Sequence, residues 1–194
     1  MPSEHFTTED LVELSGMAGA AWLDAADRDW SPPAGTLEWT CLATADHAVD
    51  CVHAPAFFLA SRRTDDYPVA GGDLCLGDAA TPPALVESLE IATRLLVAVV
   101  RDTDPSVRAV LFRRPAVLGA QADFVPRAAL ELALHAHDVG LGLDVPFIPP
   151  DDIARRLREH TREWPFWPSV GDGLAATERP WEDLLIGSGR RPRG

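Results

Sequence analysis

A chain of 194 residues suits one domain with a small appendage and can bury a sizeable core. With 46% apolar and 24% charged residues it is globular in balance, which argues against wholesale disorder. A net charge of −13 argues against nucleic acid as the main partner, because neutralising phosphates needs basic surface.

No uncharged apolar run reaches the roughly 18 residues of a membrane span. The start, "MPSEHFTTED", is polar and acidic, unlike a secretory leader, so the expected compartment is the cytoplasm. Cys41, Cys51 and Cys75 are too few and too scattered for a disulfide framework or a CxxC zinc knuckle. All 17 basic residues are arginine, which with abundant Ala and Pro reads as the coding bias of a GC-rich bacterium.

In chain order, "TTEDLVELSGMAGAAWLDAADRDW" is predicted as a first helix. Thr7 or Thr8 is its N-cap, with acids in its first turn where the helix dipole favours them. Leu11, Leu14, Ala18, Ala21, Trp22 and Ala25 recur at helical spacing. "SPPAG" then breaks the chain, and Thr36 is the candidate cap of a second helix, "LEWTCLATADHAVDCVHAPAFFLASRR". Pro55 is expected to kink or end it. Thr64 to Asp78 reads as a Gly- and Asp-rich loop, and Thr81 followed by two prolines as the start of a third helix.

"SVRAVLFRRPAV" fits either a short strand or an extended connection. Asp123 is the candidate cap of a fourth helix, from about Phe124 to Leu143, and "PPDDIARRLREHTREW" reads as a fifth, charged and solvated. The remainder is a loop-rich tail with Trp164, Trp167, Trp181 and at most one short helix; its end, "GSGRRPRG", reads as disordered. Four long amphipathic helices favour an all-α antiparallel four-helix bundle over residues 1–148, followed by a helical extension and irregular tail over 149–194.

The chemistry concentrates in "ALELALHAHDVG". Residues four apart share a helix face, so Glu131 and His135 can offer a carboxylate oxygen and an imidazole nitrogen to one ion. Asp138 lies within a turn of that pair, while His137 points elsewhere. A metal site with an open position needs a third ligand, and His47 on helix two is the best candidate, with the small Ala43, Cys51 and Ala54 on its face. His53 is expected to be exposed. With 30 acids in the chain, an acid four residues before one of six histidines is expected by chance. The residues alone therefore leave a metal site, a buried Glu–His pair and a surface helical pair all open. Cys51 and Trp39 read as core, as does Trp22, and Arg113 and Arg114 as exposed arginines or guides for an anionic substrate.

The order "LEWTCLATADHAVDCV", a Pro-rich break, then "ALELALHAHDVGLGLDV" resembles the DinB-like superfamily. More narrowly, it resembles the metal-binding domain of the mycothiol-dependent maleylpyruvate isomerase group. Trp39, His47, Glu131, His135 and Asp138 fall one by one on that family's motif, and the resemblance runs from Leu11 to Val145. It implies a bundle holding a divalent ion, usually zinc with Ni2+ or Fe2+ as alternatives, on His47, Glu131 and His135. Asp138 would orient His135 or accept a proton near the ion. The implied function is a metal-dependent thiol transferase or isomerase using mycothiol or a similar small thiol and an electrophile, with no nucleic-acid or membrane partner. The alternative is a non-catalytic metal- or small-ligand-binding bundle. A homodimer is left open.

Overall fold

A computed structural model describes residues 5–68, 74–113, 116–165, 167 and 174–192. It is mostly helical. Four long helices, α1 (Thr8–Asp24), α2 (Cys41–Ser61), α3 (Pro82–Asp102) and α4 (Phe124–Leu143), pack in a ring in which α2 touches α3 and α4, and α1 touches α3 and α4. Glu9 near the start of α1 pairs with Arg101 near the end of α3, so those two helices are antiparallel. Cys41 at the start of α2 lies against Val139 of α4, while Phe58 near its end lies under Arg127, so α2 and α4 are antiparallel as well. No helix among the described residues is long and apolar enough to cross a membrane.

Helix starts follow local chemistry. Thr7 and Asp10 form a reciprocal capping box, and the Thr81 hydroxyl accepts the Ala84 N–H ahead of Pro82 and Pro83. The expected face of α1 is the one buried: Leu11, Leu14, Ala18, Trp22 and Ala25 are all at most 2% exposed.

The second helix begins later than expected. Its cap is Thr40, whose hydroxyl accepts the Ala43 N–H, and not Thr36. Residues 33–40 instead form a closed turn, with Ala34 N–H donating to the Trp39 carbonyl and Gly35 in the left-handed region at φ +56°. Pro55 neither ends nor divides α2, which runs on to Ser61. Asp123 does precede α4, but its carboxylate does not cap it. One oxygen accepts the Ala120 N–H at 2.6 Å and the other meets His160 Nε2 at 2.9 Å.

The ambiguous stretch is a strand. β1 (Arg108–Arg113) pairs antiparallel with β2 (Ala116–Ala120), with an irregularity between Val110 and Phe112. After α4 come α5 (Asp151–Thr161), against α4 and α6, and α6 (Pro180–Gly187). The charged α5 is less solvated than expected. It buries Ile153, Ala154 and Leu157, and its Arg158, 5% exposed, pairs with the buried Asp183 of α6.

Gly142 of α4 lies tight against the start of α2 and the turn before it. A Cβ there would lie 2.6 Å from the Pro33 carbonyl oxygen and would collide with Cys41 Sγ. Alanine in a helix gains about 1 kcal/mol over glycine, whereas overpacking costs about 1–3 kcal/mol. Gly142→Ala is therefore expected to lower stability by up to about 2 kcal/mol in a denaturant titration, and a higher midpoint would refute the tight contact.

Candidate functional site

The antiparallel contact of α2 and α4 brings His47 and His135 together, with ring centroids 5.2 Å apart at 71°. Cys51 lies one turn beyond His47, and its Sγ is 3.4 Å from His47 Nε2. One donor atom from each of His47, Cys51 and His135 lies within 4.8 Å of the others. Glu131 faces the same place. Its Oε2 is 3.8 Å from His135 Nε2, and its charge acts on both His47 and Cys51. Three side chains singled out in the sequence thus meet, and Cys51, read as core, joins them half-buried. The signal for Cys51 was its spacing: it stands four residues after His47, as His135 stands after Glu131.

Burial, and then the neighbouring His135, push the His47 imidazole below the ordinary histidine range, so its neutral form is favoured. Burial also raises the Cys51 thiol well above the ordinary value, with the Glu131 charge acting the same way. His47 and Cys51 accordingly stand as neutral donors beside the Glu131 side chain.

Asp138 is 1% exposed. Its Oδ2 stands 3.5 Å from His135 Nδ1, long for a hydrogen bond, while the two ring nitrogens are divided between Asp138 on one side and Glu131 on the other. Arg190 grips the same carboxylate through three contacts, Nε to Oδ1 at 2.9 Å, Nε to Oδ2 at 3.0 Å and Nη2 to Oδ2 at 2.7 Å. The tail expected to be disordered therefore includes a residue docked on the bundle, and composition gave no sign of it. Burial alone would raise the Asp138 carboxyl, but the nearby His135 ring and the bonds from Arg190 outweigh it and hold the group below its usual range.

Trp39 is no core anchor. It is 51% exposed and meets the His47 ring edge-on at 5.2 Å. The 33–40 turn carries it there, since Gly35 sits against Leu141 and Asp138 of α4, and Arg28 reaches the Leu143 and Asp144 carbonyls. Trp22, by contrast, is buried as expected.

Two cavities flank this indole. One of about 380 Å³ is lined by residues including Trp39, Ala43, Asp46, His47 and Leu74; the other, of about 290 Å³, by Leu37, Glu38, Trp39, His47 and His135. The outer wall of the larger is pinned to α2 by carboxylates. Asp46 accepts the Leu76 and Gly77 N–H groups, and Asp50 accepts that of Leu74 at 2.7 Å.

The remaining candidates lie elsewhere. His137 points away and meets the Trp181 ring at 5.7 Å, while His53, expected in water, is half-buried against Phe57. Arg113 pairs with Asp66 at 2.9 Å, and Arg114 falls outside the described residues. Arg127, which the sequence reading passed over, lies over the Phe58 and Phe112 rings, one turn of α4 before Glu131.

No family model matches the chain, and no curated protein sequence does. Among solved structures it is similar to two crystal structures of the mycothiol-dependent maleylpyruvate isomerase, one of them of a histidine-to-alanine mutant. The TM-scores are 0.54 and, for the mutant, 0.55. Sequence identities are 18% and 16%, and each match covers 84% of this chain and 74% of the other. At that identity the likeness establishes the fold.

Removing one partner of a buried ion pair costs about 3–5 kcal/mol. Asp138→Asn is expected to lose roughly 3 kcal/mol at neutral pH by denaturant titration. Because the native carboxyl is held below its unfolded value, its stabilisation is present above the unfolded pKa near 4 and fades as pH falls through the native value. The gap between wild type and variant should therefore narrow below about pH 4; a gap that is constant with pH would show that the carboxylate charge is not the source.

Proposed function

We propose that this protein is a metal-dependent enzyme of the thiol transferase or isomerase group. The reading is carried by one observation: two histidines from different helices converge, with a thiol and a carboxylate at their side and cavities opening against them. The fold shared with a mycothiol-dependent isomerase supports a small thiol such as mycothiol as cosubstrate, with an electrophile as the second reactant.

The donor set fits a divalent ion, zinc above all. His47 and His135 are the two nitrogen ligands, and Glu131 completes the set that the sequence motif favours. Cys51 is the alternative third ligand by proximity. Such an ion, when bound, lowers the pKa of a coordinated water or thiol so that a nucleophile exists at neutral pH.

The remaining work falls to the protein. Burial favours the neutral form of the His47 ring, the form that can offer a lone pair to an ion. Asp138, already ionised and engaged by Arg190, orients the His135 ring through Nδ1, which suits it to positioning better than to accepting a proton. Trp39 covers His47 on the solvent side and shapes both cavities. The apolar flanks supplied by Ala43 and Leu74 limit water around a bound thiol, which makes it more nucleophilic.

Elemental analysis of the purified protein is expected to find one equivalent of a divalent metal, lost in both His47→Ala and His135→Ala. Retention of a full equivalent in either variant would remove that histidine from the ligand set. Glu131→Gln and Cys51→Ser separate the two candidate third ligands, since only the true ligand's loss should weaken binding by an order of magnitude or more.

A labelled-thiol transfer assay with a panel of electrophiles distinguishes an enzyme from a binding module. Turnover is expected to fall at least 100-fold in His47→Ala, the scale on which a lost charge-stabilising group acts. Turnover unaffected by that substitution would exclude the proposed chemistry.

A further inference from the structure

We propose that Arg190 is a positioning residue of the donor cluster. By gripping Asp138 it fixes the His135 ring and makes the docked C-terminal segment a working part of the site. The effect on metal affinity rests on the metal-centre reading above; the effect on the His135 ring does not.

The placement of Arg190 is itself built in. α6 ends in a wrapped turn in which Gly189, at φ +79°, donates to the Ile186 carbonyl, and Arg190 and Arg191 both donate to that of Leu185. α6 is held in turn by the buried Trp181, Leu184 and Leu185, and by Asp183, which Arg158 of α5 engages. The guanidinium is thus delivered from a fixed backbone, and its fork closes on both oxygens of a carboxylate that is 1% exposed.

The same carboxylate stands 3.5 Å from His135 Nδ1, a buried nitrogen with no hydrogen bond among the described residues. The Asp138 charge at that distance favours the proton on Nδ1 and leaves Nε2, the nitrogen on the Glu131 side, with its lone pair free for a cation. Without Arg190, Asp138 would lose the bonds that define its rotamer, and His135 would lose its fixed tautomer and tilt. The order of control runs from the segment after α6, to Asp138, to His135, to the cluster shared with His47.

The test uses the full chain with Arg190→Ala and Arg190→Gln, measuring zinc affinity by competition with a chromophoric chelator and the ring 15N signals of His135 in zinc-free protein. Outer partners of metal-ligating histidines typically change affinity by about 10–100-fold, so Arg190→Ala is expected to bind zinc at least tenfold more weakly. His135 should pass from a single Nδ1–H tautomer to a mixture. Added methylguanidinium is expected to restore zinc affinity to Arg190→Ala and to have no effect on His47→Ala, a rescue that a purely structural contact would not show.

Unchanged zinc affinity with unchanged His135 signals overturns the proposal. So does a loss of zinc that methylguanidinium fails to reverse while the His135 signals stay put. If wild type binds no zinc, the metal-centre reading falls, and the His135 signals alone still decide the role of Arg190. If Arg190→Ala does not fold, Arg190→Gln carries the same measurements, and wild-type values in that variant overturn the proposal.

Discussion

The antiparallel packing of α2 against α4 is the constraint on which the rest depends. A small residue helps to set it: Gly142 of α4 admits Cys41 of α2 and the Pro33 carbonyl, and both helices bury alanines, among them Ala45, Ala48, Ala133 and Ala136. Close approach brings two imidazoles from distant parts of the chain to 5.2 Å. Bulkier side chains along that contact would separate the axes and leave each histidine with only its own helical neighbours. The site follows from how near two helices can lie.

A second level of order comes from arginines that leave the solvent. Arg190 meets Asp138, Arg158 meets Asp183, and Arg156 reaches Asp10 in the capping box of α1 at 2.6 Å. Pairs of this kind add little net stability over well-packed apolar groups, because each charge must first shed its water. They do discriminate between arrangements, since an unpaired carboxylate at Asp138 or Asp183 would be costly in any other docking of α5 and α6. Together with the buried faces of α5 and α6, that fixes one place for the segment on the bundle.

What the sequence disclosed and what it concealed divide along the same line. Thr7 and Thr81 were legible as caps because a cap is set by the residues within one turn of it. Thr36 misled because the 33–40 turn is fixed by contacts with the end of α4, which no local window contains. The hairpin stayed ambiguous because "RAVLF" is too short for its period to separate a strand from an extended link. Glu131, His135 and His47 were singled out through spacing and a resemblance. Cys51 was discounted because a lone cysteine in an apolar helix usually packs, and Arg190 because a basic, Gly-rich end usually stays in solvent.

The face of α2 bears two ladders in adjacent register. Asp46 and Asp50 hold the backbone of residues 74–77, while His47 and Cys51, each one position on, look toward α4. Twisting the helix about its axis to move one ladder must drag the other, tearing backbone bonds from the carboxylates. The helix is thereby locked in rotation, as a key is by teeth cut on two edges. The aim of its imidazole is set partly by backbone groups on the far rim of the larger cavity.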